Sequence, residues 1–315
     1  MTTTTRPTSS ATRPVSRARR AALWASAVLA ALLLALYLGV SAYAASVVTL
    51  PQRDAIDVTP AVNGLAFEDV RFAASDGDVS IAGWYIPRQG ATRAVVLMHG
   101  KDSSRATEFA GDFVDLGAAL HARGFAVLMI DMRGHGQSED ARFTFGLRER
   151  RDIIGAVDWL EAQGFRPGAV GVLGVSMGAA SAIGALADDP EIGALVADCS
   201  YADIYPLMQR HWGSTSKLPD AFLPSTLLTA RVVMGEDLTR ARPVDEIGDI
   251  EAPVLIIHGD ADKLTDVSHG RQLAAAAPAA EYWEVAGAPH ARSYNADPQA
   301  YVERVASFFE RSLGE

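Results

Sequence analysis

The sequence predicts an α/β fold in which helices cover both faces of a mainly parallel sheet. Two observations carry this prediction: short apolar, strand-like segments alternate with helical segments, and the first two strands follow each other without a helix between them. The alternation is typical of parallel strands, whereas the first two strands should form an antiparallel hairpin at the sheet edge. The 315 residues suit one such domain after an N-terminal extension, because α/β folds often reach roughly 250 residues as a single unit.

The expected elements follow one another in a regular order. Strands are expected near residues 67–73, 79–86, 94–99, 125–130, 169–174, 194–199, 253–257 and 281–285. Helices are expected near residues 104–122, 148–163, 177–188, 268–277 and 298–312. Residues 200–250 interrupt this alternation with about fifty residues and no core strand. A structureless insertion of that length is unusual, so we expect a small helical cap there.

The N-terminal region predicts a membrane-spanning helix. Residues 21–45 contain no charged side chain, and a helix of about 20 apolar residues is long enough to cross the hydrocarbon core of a bilayer. Residues 1–20 are rich in Thr, Ser, Arg and Pro, which predicts a disordered basic tail. Because the arginines precede the apolar segment, the positive-inside rule puts the tail in the cytoplasm and the body outside it. Residues 46–66 are then a linker, and residues 67–315 form the α/β domain.

A cleaved signal peptide is the alternative for the same segment. Ala42, Tyr43 and Ala44 fit the A-x-A pattern of a cleavage site, and cleavage near Ala44 would release a secreted protein. The apolar segment is longer than the usual signal-peptide core of about 7 to 15 residues, which favours a retained anchor. Either interpretation exports the body of the protein.

Residues 174–178, Gly-Val-Ser-Met-Gly, match a strand-to-helix elbow. They follow an apolar strand and precede a helix of small residues, where a tight turn would raise the hydroxyl of Ser176 above the sheet. Gly174 and Gly178 leave room for that turn, because side chains there would collide with the neighbouring strand and helix. Taken alone, the five letters fit equally well a small-residue turn that packs a helix against a sheet.

Two downstream loops supply the partners that Ser176 needs. A serine hydroxyl requires a histidine to accept its proton and a carboxylate to orient that histidine. Asp262 and His290 each lie in a loop just past a predicted strand, at the rim where open α/β sheets bind ligands. The chain order serine, acid, histidine therefore predicts a catalytic triad of Ser176, an aspartate in the loop after residue 257, where Asp260 and Asp262 are both candidates, and His290.

With these motifs the chain resembles the α/β-hydrolase family over nearly all of residues 67–309. Residues 95–100 resemble the family's oxyanion strand, and residues 131–138 match its D-x-R-G-x-G-x-S segment. Residues 258–262 match its H-G-x-x-D acid motif. Within the family, the chain looks most like bacterial esterases, lipases and thioesterases with a short cap.

The resemblance implies roles for three further groups. It assigns Asp262 as the triad acid, and it makes residues 67–315 the catalytic domain with residues 200–250 as its cap. The oxyanion hole should consist of the main-chain N–H groups of Lys101 and Met177. The lysine differs from the residues often found at this position in relatives, and the shape of the acyl pocket is left open.

Other residues of suitable chemistry are expected to play structural roles. Asp260 and Asp266 lie close to the acid motif, and we expect them to cap loops. Cys199 is the only cysteine and should be a small buried residue at a strand end. Three histidines lie in motif turns and should stabilise loops, namely His99, His135 and His258. Three more should lie on the surface or the cap, namely His121, His211 and His269.

Composition disfavours several other classes of protein. Residues 1–45 carry a charge of +5, which leaves −15 on residues 46–315 of a chain whose net charge is −10. Such an acidic body would repel nucleic acid. A zinc hydrolase is disfavoured because no H-E-x-x-H or comparable spacing occurs. We therefore expect neither a metal nor a cofactor, while the oligomeric state is left open.

Together these patterns predict a serine hydrolase that cleaves a carboxylic ester or thioester through an acyl-enzyme. Its partners would be a small-molecule acyl substrate and, through the N-terminal helix, the membrane. Two alternatives stay open. An amidase or peptidase of the same fold would use the same triad, and a membrane-tethered binding protein would keep the fold without turnover.

Overall fold

The computed structural model describes residues 16–314, in which eight strands form one sheet. The strands are β1 (Glu68–Ala73), β2 (Ser80–Ile86), β3 (Ala94–Met98), β4 (Ala126–Ile130), β5 (Val170–Val175), β6 (Ala194–Asp198), β7 (Val254–Gly259) and β8 (Glu281–Val285). Their order across the sheet is β1-β2-β4-β3-β5-β6-β7-β8. β2 runs antiparallel to both of its neighbours, and the other pairs are parallel. The predicted fold class, with its antiparallel hairpin at the edge, is confirmed.

Helices cover both faces of this sheet. They are α1 (Arg17–Val48), α2 (Phe113–Ala122), α3 (Arg150–Ala162), α4 (Met177–Asp188), α5 (Ile204–Ser216), α6 (Leu223–Met234), α7 (Ser268–Ala276), α8 (Ser293–Ala296) and α9 (Pro298–Ser312). One apolar layer lies between the sheet and α3, α4 and α7, and the other lies between the sheet and α2 and α9. Each predicted strand begins and ends within two residues of the observed strand, because the apolar runs of the sequence are buried strands.

The helix expected over residues 104–122 is shorter than predicted. A 3₁₀ turn at Glu108–Gly111 comes first, and α2 begins only at Phe113. Phe109 and Ala110 have φ values of 53° and 62°, which lie in the left-handed region and break the helical path. This turn directs the side chain of Glu108 into the interior of the protein, where it is 5% exposed.

The N-terminal apolar segment forms a helix longer than predicted. The side chain of Ser16 accepts a hydrogen bond from the Arg19 N–H and caps α1, which runs from Arg17 to Val48. Residues 17–20, expected in the disordered tail, are therefore helical, and residues 1–15 of that tail lie outside the described residues. Residues 46–48 of the expected linker also belong to the helix. By length and composition α1 is sufficient to cross a membrane.

The cap over residues 200–250 is helical, with α5 and α6 as its main elements. The second half of α1 packs against it. The rings of Tyr37 and Phe222 lie 4.7 Å apart, and the hydroxyl oxygens of Ser41 and Ser225 are 2.7 Å apart. Ala44 is buried in a small apolar cluster with cap residues. The second half of the N-terminal helix thus packs against the body of the protein, which the sequence did not predict.

Candidate active site

The predicted nucleophile lies at a sharp turn between β5 and α4. Ser176 has φ 53° and ψ −115°, a strained conformation for a residue with a side chain. Its main-chain N–H donates a hydrogen bond of 2.8 Å to the carbonyl oxygen of Asp198 at the end of β6. The elbow is therefore tied to the neighbouring strand, and the first turn of α4 follows directly beneath the serine.

The two flanking glycines are required by close packing. A Cβ atom on Gly174 would lie 2.4 Å from the carbonyl oxygen of Gly178 in α4. A Cβ on Gly178 would lie 2.4 Å from the carbonyl oxygen of His99, just past β3. Both distances are far below van der Waals contact, so the elbow needs glycine at each position, as the sequence predicted.

Three loops bring the predicted triad residues together at the carboxyl edge of the sheet. His290 Nε2 lies 2.9 Å from Ser176 Oγ, and His290 Nδ1 lies 2.7 Å from Asp262 Oδ2. The other carboxylate oxygen of Asp262 accepts the N–H groups of Leu264 and Thr265 at 2.9 and 2.8 Å. With Nδ1–H donating to the aspartate, Nε2 is left as the acceptor that faces the serine hydroxyl.

The two other aspartates near the acid motif, Asp260 and Asp266, make different contacts. Asp260 Oδ1 accepts the N–H of Gly287 at 2.6 Å and joins the loops after β7 and β8. Asp266 Oδ1 accepts the N–H of Ser268 at 3.0 Å, at the start of α7. Both contacts match the loop-capping roles expected from the sequence. Asp262 is the aspartate that reaches His290.

The two residues expected to supply the oxyanion hole line the same cavity as the nucleophile. Lys101 and Met177 line this cavity together with Ser176 and His290. Within residues 16–314 neither of their main-chain N–H groups has a protein acceptor, so both can donate to a bound group. The Lys101 ammonium is engaged elsewhere: it pairs with the carboxylate of Asp102.

Glu108 supports the loop that carries Lys101, and no sequence pattern predicted this contact. Its carboxylate accepts the N–H of Gly100 at 2.5 Å and the N–H of Phe109 at 3.1 Å. Burial raises the pKa of Glu108, and these two hydrogen bonds act in the opposite direction. The carboxylate thereby fixes the peptide group between His99 and Gly100, one residue before the N–H of Lys101. No motif marks this glutamate, because its position depends on the left-handed turn that follows it.

Asp198 is a second buried acid near the site, and no sequence pattern predicted its contacts. It ends β6, and its carboxylate accepts the hydroxyl groups of Ser293 at 2.8 Å and Tyr301 at 3.1 Å. Burial raises the pKa of Asp198 to about 7, against the effect of those two hydrogen bonds. Its carbonyl holds Ser176, so this residue connects the elbow with α8 and α9.

The histidines of the motif turns stabilise loops, as expected. His99 Nε2 accepts the N–H of Met132 at 3.0 Å, which leaves Nδ1–H to donate to the carbonyl of Gly100 at 2.7 Å. Burial lowers the pKa values of both His99 and His135 to about 4, so both rings are neutral near pH 7. His258 Nε2 lies 2.7 Å from the carbonyl oxygen of Thr265.

The expected surface location is wrong for His269. This residue is 9% exposed in α7, and its Nδ1 accepts the N–H of Ala202 at 3.2 Å. The ring thus joins α7 to the segment that enters the cap. His211 does lie in the cap, on α5, where it lines the cavity beside the triad.

A cavity of about 310 Å³ opens beside the triad. Its lining is mostly apolar and comes from the cap helices α5 and α6, the end of α1, and the loops that carry the predicted catalytic residues. The volume lies at the lower end of the range for small-molecule pockets, which is roughly 300 to 1,000 Å³. The site therefore combines one polar edge with an apolar interior.

One group of possible metal ligands coincides with the triad. Cys199, Asp262 and His290 have potential ligand atoms within 4.8 Å of one another, and no other such group occurs in the described part of the chain. Asp262 and His290 already hydrogen-bond to each other, and burial raises the pKa of the Cys199 thiol well above its usual value. A protonated thiol is a poor metal ligand, so this arrangement favours the hydrogen-bonded triad.

Comparisons with known proteins agree with this fold. Residues 76–231 match the X-Pro dipeptidyl-peptidase (S15 family). An uncharacterized protein of Mycobacterium tuberculosis is 28% identical over 77% of this chain and 79% of its own length. The esterase Pf2001 of Pyrococcus furiosus is 28% identical and superposes with a TM-score of 0.67, covering 84% of this chain and 99% of the esterase. The Rhodococcus esterase RhEst1, at 20% identity and a TM-score of 0.57, shares the fold over 78% of this chain and 99% of its own.

Fold, site and comparisons define the class of protein as a hydrolytic enzyme built on an α/β sheet. The chain has the α/β-hydrolase fold, and its sequence is similar to proteins of that family.

Proposed function

We propose that this protein is a serine hydrolase that cleaves carboxylic esters or thioesters through an acyl-enzyme intermediate. The observation that carries the proposal is the hydrogen-bonded series Ser176, His290 and Asp262, which opens onto an apolar cavity. A triad alone provides a nucleophile, and the apolar cavity provides a place for an acyl group beside it. The esterase activity of a relative of similar sequence supports the same substrate class.

Acylation follows from the positions of these groups. Ser176 Oγ attacks the carbonyl carbon while His290 Nε2 takes its proton, and Asp262 stabilises the imidazolium that forms. The oxyanion is then stabilised by the N–H groups of Lys101 and Met177. When the tetrahedral intermediate collapses, the carbon–oxygen or carbon–sulfur bond breaks, and His290 returns the proton to the leaving alcohol or thiol.

Deacylation repeats these steps with water as the nucleophile. His290 removes a proton from water, the resulting hydroxide attacks the acyl carbon, and the bond to Ser176 Oγ breaks. The serine recovers its proton from His290, and the carboxylic acid leaves. Each proton transfer is made within the triad, so no cofactor enters the sequence.

Amide cleavage is the second candidate, and the match to a peptidase family favours it. The same triad can expel an amine if His290 protonates the leaving nitrogen. The lining of the cavity argues for a neutral acyl group instead. Asp102 is the only carboxylate that faces the cavity within residues 16–314, and it is paired with Lys101, so no free anion is present to bind a peptide amino terminus.

The test combines active-site labelling with matched substrates on the full-length protein in detergent. A fluorophosphonate probe should label the wild type but not Ser176→Ala, and p-nitrophenyl esters should be cleaved much faster than p-nitroanilides of the same acyl group. Preference for the anilides would favour the amidase alternative. A folded wild-type protein that is neither labelled nor active would instead indicate a binding protein that keeps the fold without turnover.

We further propose that α1 anchors the enzyme in a membrane with the catalytic domain outside the cytoplasm. The first part of α1, residues 21–36, is uncharged and exposed, and Trp24 lies near its N-terminal end, where interfacial aromatic residues are expected. Arg17, Arg19 and Arg20 precede this span and favour a cytoplasmic N-terminus. Ala44, the last residue before the alternative cleavage site, is buried within a helix, which favours retention of the anchor.

Accessibility in a bacterial host tests this location. Protease added to intact spheroplasts should digest the catalytic domain, and the enzyme should stay with the membrane after a carbonate wash. A soluble active species that begins near Ala45 would establish cleavage of the segment. Full protection of the domain from protease would overturn the proposed orientation.

A further inference from the structure

The last turn of α1 forms part of the wall of the cavity beside the triad. Ala45, Val48 and Thr49 line the same cavity as Ser176 and His290. Ala45 is only 5% exposed, whereas Val47, two residues further along the helix, is 52% exposed. The end of the helix therefore has one face in the cavity and another directed away from it.

Hydrogen bonds hold this wall in place. The Arg142 guanidinium donates to the carbonyl oxygen of Ser46 at 2.5 Å and to its hydroxyl at 2.9 Å. The N–H of Phe143 donates to the carbonyl oxygen of Thr49 at 3.1 Å. A cation is favourable near the carbonyl groups at a helix C-terminus. The end of α1 is thus fixed to the loop that follows the D-x-R-G segment.

The surfaces that face this wall are largely apolar as well. On α5 and α6 the cavity lining is mainly apolar, and the polar residues His211, Thr215 and Thr226 lie among Leu207, Met208, Trp212, Leu227 and Ala230. The polar groups that would react with a substrate come from the catalytic loops. An extended hydrocarbon chain on the substrate carbonyl fits such a space, because each buried methylene is removed from water.

We propose that the end of α1 is one wall of the acyl-binding pocket, and that Ala45 and Val48 set the length of the acyl chain that the enzyme accepts. This inference rests on the proposed ester hydrolysis. It makes the N-terminal helix a part of the site in addition to an anchor. The substrates it indicates are esters of fatty acids, with the alkyl chain lying between α1 and the cap.

A larger side chain at residue 45 tests the proposal with a matched control. Ala45→Phe should fill the pocket and lower kcat/KM for p-nitrophenyl decanoate relative to the acetate by about tenfold or more, since a few methylene groups give selectivity of that order. Val47→Phe places the same side chain on the exposed face of the same turn. Its chain-length profile should match that of the wild type.

A graded series guards against simple misfolding of the phenylalanine variant. Ala45→Val, Ala45→Leu and Val48→Phe should each shift the preferred ester to a shorter chain, in order of added volume. Melting temperature and fluorophosphonate labelling identify the variants that keep a folded and reactive site. Only those variants enter the comparison.

The outcomes separate this inference from the proposed function. If the folded variants hydrolyse esters with the wild-type chain-length profile, α1 is not a wall of the acyl pocket, although ester hydrolysis stands. If the wild type hydrolyses no ester at all, the proposed function itself fails. An equal shift in Val47→Phe would also overturn the inference, because that side chain lies outside the cavity.

Discussion

His290 Nε2 lies 2.9 Å from Ser176 Oγ, although the two residues are 114 positions apart in the chain. The contact joins the loop after β8 to the elbow after β5, and those strands are not neighbours in the sheet. The hydrogen bond therefore depends on the whole width of the sheet between them. It is the single distance on which the proposed chemistry most depends.

The first prediction separates the three aspartates near the site. Asp262→Asn should lower kcat by about 10³–10⁴-fold, because the amide can present N–H to Nδ1 and so favour the wrong histidine tautomer. Asp260→Asn and Asp266→Asn should keep near-wild-type turnover, since an amide oxygen can still accept the N–H of Gly287 or Ser268. Steady-state kinetics and melting temperatures of the three variants provide the comparison. If Asp266→Asn lost its activity while Asp262→Asn stayed active, the assignment of Asp262 as the triad acid would be wrong.

The second prediction concerns Glu108 as a positioning residue. Glu108→Gln keeps the size of the side chain but turns an amide N–H group toward one of two donors, the N–H of Gly100 or of Phe109. The oxyanion loop should shift, and kcat should fall by about 10–100-fold, less than the full loss of an oxyanion donor. KM should change little. Glu161→Gln on α3 is the control. An equal fall in the kcat of this variant would show that Glu108 has no positioning role of its own.

The third prediction compares two glycines in helices. Gly178→Ala should destabilise the protein by about 1–3 kcal/mol, because its new Cβ meets the carbonyl oxygen of His99. Gly213→Ala in α5 meets no atom within 4 Å and should stabilise the protein by up to about 1 kcal/mol, since alanine favours helix. Thermal unfolding measures both. Equal melting temperatures for the two variants would contradict the close packing of α4 against β3.

The fourth prediction follows from the buried carboxyl group of Asp198. Its pKa is raised to about 7 in the folded protein from 3.8, so the unfolded chain releases this proton first as the pH rises. The contribution of the group to stability is complete below about pH 4 and is lost as the pH rises toward 7. Asp198→Asn has no carboxyl group to ionise at this position, so its free energy of unfolding should not fall in this way. Between about pH 4 and 7 its stability should therefore rise relative to that of the wild type, by at most about 4 kcal/mol.

Melting temperatures at pH 4.5 and 7.5 test this dependence on pH. The difference between Asp198→Asn and the wild type should be larger at pH 7.5 than at pH 4.5. A difference for Asp198→Asn that shrinks at pH 7.5 would mean that the native carboxyl group is ionised well below neutrality.

Much of the fold was predictable because its signals are local. The strands are continuous apolar runs, and Gly174 and Gly178 mark the elbow by the space they leave. Ser176, Asp262 and His290 could be proposed from chain order and motif spacing, and the structure brings them into hydrogen-bonding distance. Their catalytic roles stay predictions until the variants are measured.

The parts that were missed depend on contacts distant in sequence. α1 is apolar on all sides, so no periodicity distinguishes the face that packs on the cap from the face that does not. Glu108 reaches the oxyanion loop only because Phe109 and Ala110 adopt left-handed backbone angles, which residues with side chains rarely adopt. Neither feature has a local sequence signal.

If α1 is the anchor proposed above, its contact with the cap would also decide when the enzyme matures. On the proposed topology, a newly made chain whose first helix is still held by the export machinery lacks one wall of the pocket. The catalytic domain would complete its substrate site only after that helix enters the bilayer laterally and packs against α6. Activity would then begin only at the membrane, and newly made chains that are not yet inserted would not hydrolyse acyl esters in the compartment in which they are made.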